Sequence, residues 1–94
     1  MSIEVSITAQ NTFSPTHYVQ VGDQEEKTVQ VSVFGTFVAT VSVQIRKTSA
    51  DSWRTIDTTT DIGEYKLELK GPWEVRAGVE TGNFTSGTVG IELH

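Results

Sequence analysis

Apolar side chains fall on every second position of residues 37–46, at Phe37, Ala39, Val41, Val43 and Ile45. A period of two suits a strand with one buried face, because successive side chains leave a pleated backbone on opposite sides. The same alternation recurs at Ile3, Val5 and Ile7, at Val29, Val31 and Val33, at Tyr65, Leu67 and Leu69, and at Val89, Ile91 and Leu93. Trp73, Val75, Ala77 and Val79 form a further one-sided run, and Val19 and Val21 face inward on a strand predicted over 17–21. Apolar residues at helical three-and-four spacing over a helical length are missing, so almost no helix is expected. The pattern predicts an all-β fold, a small antiparallel β-sandwich (Ig/fibronectin-like) or partly closed barrel of seven to eight strands.

The intervening segments read as turns. Residues 8–16 are polar, with Phe13 as a single apolar anchor and Pro15 withholding a backbone donor, and form a loop or an extended arm. Residues 22–26 make a charged turn, 47–52 a loop of hairpin length and 58–63 a Thr- and Asp-rich connector. The Phe34-Gly35-Thr36-Phe37 stretch either turns the chain or bends one continuous strand at Gly35. Gly87 and Gly90 allow close backbone approach near the end of the chain.

At 94 residues the chain is expected to be a single domain over 1–94 with one core. Such a domain buries roughly 60 to 65% of its unfolded surface, so assembly with neighbours would add to a modest stability. The absence of cysteine removes disulfides, thiolate metal sites and thiol nucleophiles, and leans toward synthesis in a reducing cytosol. Seven Lys and Arg against twelve Asp and Glu give a formal charge of -5 with no basic cluster, which disfavours direct binding to nucleic acid. The N-terminal residues lack the features of a signal peptide, and no run approaches the ~20 apolar residues that cross a bilayer. The reading is a soluble protein with no membrane association.

Groups for catalysis are sparse: His17, His94, the carboxylates and Tyr18. His94 is the last residue and is expected to fray, and His17 reads as a solvated histidine at a strand edge. Asp57, Asp61 and Glu64 share one connector, but their spacing does not fit a calcium loop. No acid, base and nucleophile constellation is recognisable, so no enzymatic activity, cofactor or metal is expected. Trp53 and Trp73 raise the possibility of sugar stacking; Trp73 shares the parity of a core-facing strand, which leaves Trp53 as the candidate platform. Arg76 places a fork-shaped charge on the polar side of a strong strand, suited to an ion pair with Glu68 or Glu92 or with a neighbouring subunit.

The C-terminal half resembles a recurring small β protein encoded among the structural genes of tailed bacteriophages and prophages. The residues that carry the resemblance are Gly35-Thr36-Phe37 entering an Ala39-Thr40-Val41 strand, and a polar loop leading to Trp53. Gly63-Glu64-Tyr65-Lys66-Leu67, Trp73-Glu74-Val75-Arg76-Ala77-Gly78-Val79 and a closing segment over 82–93 continue it, across about two thirds of the chain. The resemblance implies a non-enzymatic virion component, a capsid decoration or cement protein or a head-tail or tail accessory, made in the host bacterial cytoplasm. Its partners would be phage capsid or tail proteins, and it would form a homo-oligomer or symmetric array. Candidate interface residues are Phe13, Pro15, Tyr18 and Arg76, and the 8–16 segment can pair with a neighbour's sheet edge. The alternative is a receptor-contacting glycan-binding module that uses Trp53.

Overall fold

The computed structural model describes residues 3–19, 26–70 and 72–94. Its strands are β1 (Ile3–Ile7), β2 (Thr12–Phe13), β3 (His17–Val19), β4 (Glu26–Ala39), β5 (Val41–Arg46), β6 (Arg54–Thr59), β7 (Gly63–Lys70), β8 (Trp73–Val79) and β9 (Phe84–Leu93). They form two sheets, β1-β9-β4-β7 and β2-β8-β5-β6, with β3 also paired to β8, and every pairing is antiparallel. No helix occurs among the described residues. The alternating residues of both sheets meet in one core built from Ile7, Val19, Val29, Val31, Val33, Val41, Val75, Val79, Val89, Ile91 and Leu93. The fold is therefore the all-β, two-sheet sandwich that the period of two predicts. Burial of each such side chain is worth about 1.5–3 kcal/mol, and with no disulfide to assist, this packing holds the sheets together.

The run over 37–46 is two strands. β4 ends at Ala39 in one sheet and β5 starts at Val41 in the other, with the Thr40 amide donating to the Asn83 carbonyl at 2.8 Å. Alternation survives the crossing because both inner faces line the same core, and hydrophobic parity reports burial without reporting which sheet provides it. Asn83 itself sits in the turn by which β8 crosses to β9, so one hydrogen bond ties the two crossings together.

Gly35 bends a continuous strand, with a φ of 99° inside the fourteen-residue β4. The polar segment over 8–16 contains β2, and it pairs with the chain's own β8. Ser14 completes that junction: its amide donates to the Ala77 carbonyl at 2.8 Å and its hydroxyl accepts from the Ala77 amide at 3.1 Å. β6 continues to Thr59, shortening the connector expected over 58–63. The charged turn over 22–26 lies outside the described residues except for Glu26, whose backbone pairs with Lys70.

Both histidine expectations are corrected. His17 is opposite Val75 and shares the parity of Val19, so its ring points between the sheets and is only 8% exposed. His94 is held by two backbone hydrogen bonds with Gln30, and its Nε2 lies 2.9 Å from Glu92 Oε1. Periodicity placed Val19 inward; His17 shares that parity, and the strand carries it in regardless of its polarity.

Candidate functional site

Residues directly opposite in an antiparallel pair share a face, so the registers of β2, β3, β5 and β8 define the outer surface of their sheet. One row carries Phe13, Gly78 and Ser42, the next Arg76 and Gln44, and the next Tyr18, Glu74 and Arg46. Phe13, Tyr18 and Arg76 thus project from one surface, although two of them belong to a segment remote in sequence from the third. Trp53, just before β6, closes over the same surface, and Pro15 is exposed in the link between β2 and β3.

The Arg76 guanidinium lies 4.0 Å from the Phe13 ring centroid and 4.5 Å from that of Trp53. Arg46 reaches the same Trp53 ring at 4.2 Å, and its Nε donates to Glu74 Oε1 at 2.8 Å. Two arginines therefore share one indole. Each cation–aromatic contact contributes on the order of 0.5–2 kcal/mol, more as water is excluded. Arg76 Nε donates to Gln44 Oε1 at 2.8 Å, so the ion pair expected with Glu68 or Glu92 is replaced by an amide contact. The reason is topological: Glu68 is on β7 and Glu92 on β9, strands of the opposite sheet.

A polar layer lies beneath the rings. Ser42 is fully buried and Gln44 is 5% exposed, although both point away from the hydrophobic core. Glu80 receives the Ser42 hydroxyl at 2.8 Å and the Gln44 amide at 3.4 Å, and Gln44 Nε2 also donates to the Thr55 hydroxyl at 3.1 Å. Buried polar groups on this surface are thereby partnered, as burial requires. Burial, followed by the charge of Arg46, lowers the Arg76 pKa from its ordinary value, with Glu80 opposing. Arginine remains cationic under that shift. Among the described residues only the Nε of each arginine is committed to a hydrogen bond, so the Nη groups remain as a planar fork for an incoming carboxylate.

Gly78 makes the arrangement possible. A Cβ there would run into the Thr12 carbonyl oxygen and lie 2.5 Å from the Phe13 Cα, so only glycine lets β2 lie across β8 and bring Phe13 to Arg76. At the rim, Lys47 lies 4.2 Å from the Trp73 centroid, and the Trp73 indole donates to the Lys70 carbonyl at 3.0 Å.

The candidate residues Phe13, Trp53 and Arg76 are in contact, Tyr18 is 58% exposed on the same surface, and Pro15 borders it. Gln44, Arg46, Glu74, Gly78 and Glu80 also belong to the site and escaped the sequence reading. Their one sequence signal was shared parity with Arg76 on two strong strands. A sugar seated on the Trp53 surface that Arg46 and Arg76 cover would have to displace both guanidiniums. The acidic connector disperses: Asp57 caps the Thr58 amide at 2.9 Å, whereas Glu64 accepts from Ser32 at 2.8 Å. Among the described residues no group of three or more His, Asp or Glu side chains is placed to hold a metal ion. Comparison with known protein families, with curated proteins and with solved structures finds no match.

Proposed function

We propose that the chain is a non-enzymatic assembly protein that docks through the Phe13–Arg76–Trp53 platform onto a carboxylate-bearing protein surface. The observation that carries this reading is the convergence of two arginines and two aromatic rings on one sheet face, the residue types that dominate binding energy at protein interfaces. A second copy supplies the complementary chemistry. The outer face of its β1-β9-β4-β7 sheet presents Glu4, Glu64, Glu68 and Glu92 against Lys66 and Lys70. Contact between unlike faces is heterologous, so copies joined this way close into a ring or extend as an array. Repetition then multiplies weak single contacts. The resemblance of the C-terminal half supplies the setting: a tailed-phage particle, with the protein on the capsid or in the tail.

Two measurements test this reading. Light scattering should show association that grows with protein concentration, weakens with salt and is lost in Arg76→Glu. Purified protein should add stoichiometrically to particles from a phage or prophage that encodes it, and Trp53→Ala should weaken that binding. A monomer at all concentrations that binds no particle would refute the reading. Binding to a glycan array that Trp53→Ala abolishes would favour the receptor-contacting alternative.

A further inference from the structure

A second site lies at one end of the sandwich, apart from the Phe13–Arg76–Trp53 contacts. Where β1 and β4 begin and β9 ends, a cavity of about 360 Å³ is lined by Ile3, Thr16, His17, Tyr18, Lys27 and His94. His17, 8% exposed, belongs to it, and among the described residues its Nε2 is buried without a hydrogen-bond partner. Unpartnered buried nitrogens are rare in folded proteins and mark places where a missing partner belongs. The charges that act on this ring, those of Lys27, the N-terminal amine and His94, are of one sign. Lys27 comes from β4 and His94 from the end of β9, the latter paired to Glu92; β8 contributes the apolar Val75, and the ring's own strand contributes Tyr18.

We propose that this cavity binds a small monocarboxylate with a short alkyl tail. The carboxylate meets the Lys27 ammonium and the His17 imidazole, the Thr16 hydroxyl offers a further donor, and the tail lies against Ile3. Burial, followed by the charges of Lys27, the N-terminal amine and His94, holds the free His17 below its ordinary pKa of 6.5. A bound anion reverses the charge contribution and favours imidazolium. Binding therefore takes up a proton, and affinity rises as the pH falls through the pKa of the complexed ring toward that of the free one.

The test is an NMR titration of the His17 ring protons in the full chain with sodium butyrate, acetate and phosphate, ionic strength being held constant with chloride. Butyrate should give a saturable millimolar response at His17 and move its pKa upward, and acetate should do so more weakly. Lys27→Gln changes an exposed side chain and should weaken butyrate roughly tenfold, as loss of a charge-assisted contact predicts. No saturable response at His17, an unchanged affinity in Lys27→Gln, or phosphate binding as tightly as butyrate would each overturn the proposal. Because the readout is local to His17, it is independent of whether the platform associates.

Discussion

Arg76 and His17 are both drawn into the protein, and burial pushes the pKa of each down, yet their surroundings differ in kind. Arg76 lies on an outer face beneath Phe13 and Trp53, with Gln44 on its Nε and Glu80 near enough to oppose the loss of charge. His17 lies on an inner face, where the charges acting on it are positive and, among the described residues, its Nε2 has no hydrogen-bond partner. A cation whose environment was assembled around it contributes to the fold. A titratable group left without its complement costs stability, by about 1–3 kcal/mol for an unmade hydrogen bond, and is available to a ligand.

The largest effect should come from the backbone that builds the Arg76 environment. Gly78→Ala forces β2 away from β8 because the new methyl meets main-chain atoms that cannot rotate aside, and should cost about 2–3 kcal/mol in urea unfolding. The opposite sheet provides the control. At Gly90 the atoms nearest to the added Cβ belong to the ring of Phe34, which is 43% exposed and able to swing outward, so Gly90→Ala should cost under about 1 kcal/mol. Equal costs for the two substitutions would show that β2 is not held across β8 by that close approach.

Next comes the cation itself. Arg76→Ala removes two aromatic contacts and leaves the carbonyl of a buried Gln44 side chain without its donor, which should cost about 1–2 kcal/mol and alter Trp53 fluorescence. Glu68→Gln, on the exposed outer face of the other sheet, should change stability by less than about 0.5 kcal/mol.

Parity along the chain placed nearly every core residue, because burial in a two-sheet sandwich repeats every second position whichever sheet a strand joins. For the same reason it hid the break at Thr40, where the burial pattern is unchanged while the hydrogen-bonding partners are exchanged. Phe13, Trp53 and Arg76 were legible as separate candidates from residue type. Their contact was not, since it depends on β2 pairing with β8 across more than sixty residues and on a glycine whose role appears only when a strand lies over it. His17 was misread for the complementary reason. Neighbours in sequence, Pro15 and Tyr18, suggested an edge, while its position opposite Val75 turned it inward.

Acid should separate the two groups further. The unfolded chain protonates His17 near 6.5, whereas the folded chain resists until a lower pH because imidazolium would be desolvated beside Lys27. Between those values the unfolded state binds more protons, so this contribution to stability is whole above about pH 6.5 and is lost as pH falls through the folded pKa. Thermal unfolding should therefore show a falling midpoint on mild acidification, with the loss reduced in His17→Gln. Arg76 does not titrate in this range and should contribute nothing to the slope.

The smallest change expected is in the field around His17. His94 is the weaker of its two cationic side-chain neighbours, and its backbone pairing with Gln30 does not depend on the imidazole, so His94→Ala should leave the unfolding midpoint nearly unchanged. The substitution nevertheless removes one source of positive potential, and the His17 pKa should rise slightly toward 6.5 in an NMR titration. Lys27→Gln should move it further in the same direction, since Lys27 precedes His94 among the causes of the depression. If both variants leave the His17 titration where it was, the side-chain charges of Lys27 and His94 do not set its pKa, and the positive side chains that distinguish this cavity from the carboxylate-balanced platform around Arg76 have no electrostatic consequence for it.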